Sequence, residues 1–392
     1  MTSSWVARVE QAAAGEFARI DHICASNTER VLDAFVRHKI ADRHFQASTG
    51  YSYDEVGRDT LDALYADIFG AEDALVRVQF VNGTHAIACA LRAAAPAGGY
   101  VSLVGQPYDT LRGVMPFDFV EVTDSGEPDF GAIETRLRES RPPAVLIQRS
   151  RGYSGRKTLS IEIIEKLIAV VKGIDNEIVA VVDNCYGEFC ETAEPPAVGA
   201  DLTAGSLIKN PGGGLAITGG YICGKSALVN KAAEALTVPG IGRECGGSMG
   251  QGRLLYQGLF LAPHVVAQAV KTAVFAAHAL EMHGFEVSPR PGEERYDIIQ
   301  SVAFGDPEKL LRFVRGVQAA SPVDGFVTPE PWGMPGYDDQ VVMAAGTFVQ
   351  GASIELSCDA PMREPYRAFL QGGLTYESGR LGICRALEAV LA

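Results

Sequence analysis

No Cys-x-x-Cys pair occurs among the eight cysteines of this 392-residue chain, and only Cys185 and Cys190 lie close together. The usual zinc and thiol-redox spacings are therefore absent, and buried free thiols in a reducing compartment are expected. Positive charge is scarce as well: 34 Lys and Arg face 48 Asp and Glu, giving a net charge of −14. An acidic chain without a basic stretch is a poor partner for nucleic acid or an anionic membrane, although a local site can still hold a small anion. No apolar run reads as long enough to cross a bilayer, and the N-terminal MTSSWVARVEQ lacks the apolar segment of a signal peptide. A cytoplasmic protein is expected. No G-x-G-x-x-G or P-loop follows a strand-like run. No His/Asp/Glu/Cys cluster has metal-ligand spacing, so no metal is expected. What remains is an ordinary globular composition, 47% apolar and 21% charged, with enough length for a large core and more than one domain.

Residues 1–45 read as amphipathic helix, followed by a polar, aromatic-rich loop, TGYSYDEVGRD (49–59). TLDALYADIFG (60–70) places its apolar residues on one helical face, with Gly70 at the position of a C-terminal cap. Strand and helix signals then alternate. ALVRVQFV (74–81), YVSLVG (100–105), PAVLIQ (143–148), EIVAVVD (177–183), ADLTAGSLI and TGGYICG read as strands, with HAIACALRAAA and SIEIIEKLIAVVKG as helices among them. Such alternation predicts an α/β domain with a mostly parallel sheet. A long helical pattern over 263–284 leads into shorter strand-like pieces and a helical C-terminus. The expected organisation is an N-terminal helical segment and interface loop (1–59), a large domain (60–265) and a smaller α+β domain (266–392).

Open parallel sheets bind ligands at the carboxyl ends of their strands, so the polar residues just past each strand carry the chemistry. In NGTH (82–85), Gly83 permits a tight turn, and Thr84 and His85 open a helix whose free amides suit a phosphate; an ordinary capped turn reads the same way. Asp183 ends a very apolar strand and needs a cationic or hydrogen-bonding partner, which a structural ion pair would also provide. Lys209, in AGSLIKNPGGG, sits at another strand end. Partial desolvation there predicts a depressed pKa and a lysine able to form a Schiff base, unless it simply reaches solvent. Together, a phosphate site, an Asp and a Lys on successive strands are the set that pyridoxal 5′-phosphate requires. Ser206, three residues before Lys209, can reach the same phosphate. Tyr108 can stack on the ring or serve as a buried structural tyrosine.

QFVNGTHA, VDNCYGEF, VGADLTAGSLIKNPGGGLAITGGYI and QGLFLAPHVV resemble the methionine γ-lyase-like, aluminium-resistance family, a branch of the fold-type I pyridoxal-phosphate enzymes near the cystathionine lyases. The resemblance runs from about residue 45 to APMREPY and QGGLTYESGR. It implies an aspartate-aminotransferase-like fold and a homotetramer, a dimer of dimers with active sites shared across the dimer interface. It implies Lys209 as the cofactor-bearing lysine, Asp183 as the partner of the pyridine nitrogen, and Gly83, Thr84 and Ser206 as phosphate ligands. Tyr53 and Arg58 match a Tyr-x-Arg pair that reaches a neighbouring subunit's cofactor, with altered spacing. Arg363 is the candidate for the substrate α-carboxylate, because its planar fork suits that group, and Gln148 is a second substrate-binding candidate. His85 could stack on the ring, donate to the cofactor or cap its helix, and Asn82 stands where the family has a small serine. The three glycines after Lys209 are expected to let backbone pass close to the lysine and the neighbouring subunit.

The resemblance implies a lyase performing γ- or β-elimination on a substituted L-amino acid, with Lys209, Asp183, Tyr108 and Tyr53 as the catalytic set. The departing group could be a thiolate, or a halide leaving a chlorinated allylglycine to give a terminal alkyne. A transaminase on the same fold and a non-catalytic nucleotide-binding protein are the alternatives.

Overall fold

Seven short strands build the larger sheet: β1 (Asp73–Arg77), β2 (Tyr100–Ser102), β3 (Phe117–Phe119), β4 (Ala144–Gln148), β5 (Val179–Asp183), β6 (Leu202–Ser206) and β7 (Gly220–Gly224). The computed structural model describes residues 1–334 and 337–392. The strand order is β1-β7-β6-β5-β4-β2-β3. From β6 through β5, β4 and β2 to β3 all pairings are parallel, whereas β7 runs antiparallel to both of its neighbours, so the sheet is mixed.

The continuous apolar runs follow from burial on both faces. Ala144 and Leu146 of β4 and Val181 of β5 join one core beneath the helices Gly83–Ala94 and Ser226–Leu236. The alternate residues Val145, Ile147, Ala180 and Val182 join a second core beneath the helices Phe130–Ser140 and Ile161–Ile174. The period of two along each strand thus places each residue in a defined layer. Most elements lie within a few residues of their expected positions. β1 ends at Arg77, earlier than the apolar run suggested, where the guanidinium turns to Asp62 at 2.7 Å in the interior. β3 escaped the sequence pattern: three half-buried residues at a sheet edge carry too little periodicity. The loop expected to run through residue 59 instead gives way to helix at Val56.

The second sheet contains β8 (Glu286–Ser288), β9 (Ile299–Ala303), β10 (Trp332–Gly333), β11 (Gln340–Ala344), β12 (Ser357–Pro361) and β13 (Arg367–Gln371). Its order is β10-β11-β12-β13-β9-β8, all antiparallel, and it shares a core with the helices Pro307–Ala319 and Tyr376–Leu391. A single helix, Gly252–Glu281, contributes Leu255 to Val274 to the core beside the large sheet and Phe275 to Leu280 to the core of the smaller one. The expected division at residue 265 therefore falls inside a continuous helix. By length and composition this helix could cross a bilayer, contrary to the sequence expectation, yet 72% of its most apolar stretch is buried within the fold. Apolar residues on almost every face of one helix are what burial between two cores demands.

The glycines after Lys209 have a contact that the sequence did not reveal. A Cβ on Gly213 would lie 2.2 Å from the carbonyl oxygen of Gly258, and a Cβ on Gly258 would lie 2.2 Å from that of Gly212. The lysine loop thus closes, backbone on backbone, against the long helix of its own chain. Gly258→Ala should lower stability by about 1–3 kcal/mol through overpacking. A drop in the urea midpoint at unchanged slope checks this, whereas an unchanged midpoint would show that the contact yields freely.

Candidate active site

Asp183 is the last residue of β5. Its carboxylate is buried, and Oδ1 accepts the Cys185 amide at 3.1 Å. Burial pushes its pKa up, against the opposing pull of Lys209, the Cys185 hydrogen bonds and Arg156. Among the described residues it forms no close ion pair.

The turn that follows is held rigidly. Arg149, wholly buried, donates to Asn184 Oδ1 at 2.8 Å and to Glu191 at 2.6 Å. Asn184 in turn donates to Glu194 at 2.9 Å. Tyr186 adopts φ 73°, a left-handed conformation that costs a bulky residue energy unless its surroundings enforce it. Asn210, the residue after Lys209, supplies part of that enforcement by donating to the carbonyls of Tyr186 at 2.9 Å and Glu188 at 3.0 Å. The lysine loop and the Asp183 loop are thereby tied together.

Lys209 Nζ lies 4.0 Å from the centroid of the Tyr186 ring. Its pKa is raised, which reverses the sequence expectation. Burial opposes its charge, but Cys185, Tyr186, Asp183 and Glu188 surround it and outweigh that cost. Desolvation alone would depress it; the groups gathered by the 183–188 turn reverse the sign. Behind Lys209, Glu188 is fully buried, accepts the Tyr221 hydroxyl at 2.8 Å and is pushed up to about 8 by burial.

Gly83 and Thr84 begin the helix after β1, and Asn82 caps it by accepting the His85 amide at 2.9 Å. The cap explains the asparagine at that position, and the amides of Gly83 and Thr84 lack intrahelical acceptors. A Cβ on Gly83 would lie 3.1 Å from Ser206 Cβ and 3.3 Å from Cys185 Sγ, so a side chain there would crowd both neighbours. Gly83, Thr84, Ser206, Lys209 and Tyr108 line one cleft of about 380 Å³. A slot of about 50 Å³ shares Thr84, Tyr108 and Lys209 with it and reaches Asp183 and Cys185.

The remaining candidates lie elsewhere. His85 does not line the cleft: its Nδ1 accepts the Val81 amide at 3.2 Å and its ring packs edge-on against Phe80. Gln148 borders the slot, but its amide holds backbone, accepting from Tyr108 N–H at 3.0 Å and donating to Ser150 O at 3.1 Å. Arg363 is exposed and bound to Asp339 at 2.8 Å, and it lines an outer groove with Arg112, Arg151 and Arg156. No arginine lines the inner cleft or the slot among the described residues. Tyr53 is exposed and stacks on Tyr51. Arg58 is buried on the first turn of a helix, donating to Asp59 at 2.8 Å and to the Ser52 carbonyl at 3.0 Å. Neither lines this chain's own cleft.

Sequence reasoning missed Tyr186, Tyr153, Tyr337, Asp359 and Gln371, all of which line the cleft. Tyr186 was within reach, as the aromatic residue of DNCYGEF three positions after Asp183. Asp359 and Gln371 come from β12 and β13 of the smaller sheet, which no local pattern connects to Lys209.

The model of the methionine gamma-lyase family matches residues 2–391. The chain belongs to that family. An uncharacterised Bacillus subtilis protein, YnbB, is 47% identical over 400 residues, covering 98% of this chain and 95% of its own length. The crystal structure of a carbon–sulfur lyase involved in aluminium resistance from Clostridium novyi is 46% identical, with a TM-score of 0.92 over 100% of this chain and 96% of that one. A Clostridium acetobutylicum protein provisionally assigned as a cystathionine β-lyase involved in aluminium resistance is 47% identical, with a TM-score of 0.95 over 99% and 95% of the two chains. A pyridoxal-5′-phosphate-dependent Escherichia coli protein shares the fold at 18% identity and a TM-score of 0.64. The expected fold-type I architecture is thus matched in class, and the central sheet is mostly parallel as expected, with β7 alone running antiparallel to its neighbours.

Proposed function

We propose that the chain is a pyridoxal-phosphate-dependent carbon–heteroatom lyase that eliminates a γ- or β-substituent from an L-amino acid. The observation that carries this reading is the convergence of Lys209 and a helix N-terminus on one cleft, and of Lys209 with the buried carboxylate of Asp183 on the slot that adjoins it. The residues fit the cofactor. Asp183 lacks a close cationic partner and would hold a protonated pyridine nitrogen. The Gly83 and Thr84 amides, with the Thr84 and Ser206 hydroxyls, would hold the phosphate. Lys209 would carry the aldehyde. When bound, the cofactor supplies an electron sink that stabilises negative charge at the substrate Cα.

The other tasks fall to the protein. Lys209 is the one lysine lining the cleft among the described residues, and it would take and return a proton at Cα. Tyr108, half-buried with its hydroxyl toward Tyr337, would stand beside the departing group. Arg363 and its neighbours in the outer groove offer positive charge to a substrate carboxylate once Asp339 is displaced. The exposed Tyr51–Tyr53 pair is the segment we assign to a neighbouring subunit's site.

With one water, a γ-substituted amino acid would give a 2-oxo acid, ammonium and the protonated leaving group. Incubation of purified protein with γ- and β-substituted L-amino acids, with products identified by mass spectrometry, tests the reading. Release of thiol or halide with a 2-oxo or unsaturated acid is expected. Keto-acid-dependent amino transfer, loss of carbon dioxide, or no reaction across the panel would overturn it.

A further inference from the structure

A second cavity, of about 240 Å³, lies away from the catalytic cleft. Its walls are the N-terminal helix Ala14–Arg37, the long helix Gly252–Glu281, residues 189–192 after the Asp183 turn, and residues 293–296 before β9. None of its described lining residues lines the cleft, the slot or the outer groove. Ile20, Ile23, Phe189, Val266, Val270 and Val274 give it an apolar wall. Protein interiors hold few voids larger than a water molecule, so an opening of this size between two packed helices is not ordinary packing slack. A cavity of about 150 Å³ takes up benzene, and by that measure this one has room for about ten non-hydrogen atoms.

The polar groups of the lining decide the charge of an occupant. Its carboxylates already have partners. Glu16 pairs with His278 Nε2 at 2.6 Å and accepts the Gly292 amide at 3.1 Å. Glu191 accepts from Arg149 at 2.6 Å and from the Ile161 amide at 2.9 Å. Glu294 pairs with Arg19 at 3.3 Å and accepts the Tyr296 hydroxyl at 2.8 Å, and Glu293 accepts the Arg290 amide at 2.8 Å. Arg295 is the exception. Its Nη2 donates to Gln300 Oε1 at 2.6 Å, but Nε and Nη1, shut off from water, have no acceptor among the described residues. Burial lowers its pKa to about 10; Glu16, Asp297 and Glu293 oppose that shift and Arg151 adds to it, so the group stays charged at neutral pH. A guanidinium with two buried, unpaired nitrogens is costly, and an anion beside it removes that cost. The four carboxylates and two arginines of the lining would repel a second negative charge, and a cation would find each carboxylate engaged.

We propose that this cavity is a ligand site for an apolar monocarboxylate, with its hydrocarbon body between the two helices and its carboxylate on Arg295. The guanidinium suits that group, because its parallel N–H donors match two carboxylate oxygens. The site is independent of the lyase reading. Its wall nevertheless adjoins the catalytic turn: Glu191 is held by Arg149, which also holds Asn184 beside Asp183.

Isothermal titration of the purified protein with 3-phenylpropionate tests the site, with 3-phenylpropan-1-ol as the uncharged counterpart. Wild type should bind the acid at least about 10-fold more tightly than the alcohol, the worth of a hydrogen bond to a charged group. Arg295→Met should bind acid and alcohol alike, and its retained affinity for the alcohol would show the cavity intact. No binding of the acid by wild type, equal affinity for acid and alcohol, or an Arg295→Met variant that still prefers the acid would overturn the proposal. A second variant separates this cavity from the catalytic cleft and serves if Arg295→Met fails to fold. Ala267→Leu, on the long helix, fills the cavity and should lose the acid. Unchanged binding to that variant would place the ligand elsewhere and overturn the site. Neither readout needs turnover, so a failure of the lyase reading leaves the result intact.

Discussion

Lys209→Ala should be inactive, with turnover lower by at least about 10³-fold, because one side chain both carries the cofactor and moves the Cα proton. The variant should also lose the visible absorbance that borohydride bleaches in the wild type. The loss should be chemical and not a collapse of the fold. Lys209 Nζ rests on the face of Tyr186, whereas the loops on either side are held by Asn210, Arg149 and the Gly213–Gly258 contact, none of which involves the lysine side chain. Far-UV circular dichroism and the thermal midpoint should remain close to wild type. An active, coloured variant would remove Lys209 from the chemistry.

Asp183→Asn should have the next largest effect. Asparagine keeps the size of the side chain and can still accept the Cys185 amide, but it cannot balance a protonated pyridine nitrogen. Loss of one member of a buried charge pair costs about 3–5 kcal/mol, or about 200- to 5,000-fold. Because Lys209 remains, the variant should still bind cofactor and stay coloured while kcat falls by that factor. This split between colour and turnover separates the two residues. If Asp183→Asn turns over at the wild-type rate, the buried carboxylate is structural and the electron-sink assignment is lost.

The sequence made much of the site legible because its parts are local. Asp183 stands out at the end of VAVVD, Lys209 and Ser206 share one strand end, and the NGTH turn opens a helix. Parallel strands deliver their carboxyl ends to one edge, so these residues meet once the strand order is right. The features that depended on another element were not legible. The lysine's raised pKa comes from acidic groups gathered by the 183–188 turn, which desolvation alone could not anticipate. Gln148, a substrate-binding candidate in sequence, braces two backbone positions. His85 turned back on its own helix start because Asn82 had taken the capping role. The close contact of Gly213 with Gly258, 45 positions further along the chain, was likewise invisible to any local pattern. Asp359 and Gln371 enter the cleft from an antiparallel sheet whose register the local sequence pattern does not set.

The central claim is that Lys209 carries pyridoxal phosphate in a lyase site. The most direct measurement is borohydride reduction of the purified protein, followed by proteolysis and mass mapping of the modified peptide. The account predicts a single pyridoxyl-phosphate adduct, on Lys209, that Lys209→Ala abolishes. An adduct on another lysine, or none from cofactor-saturated protein, would contradict it.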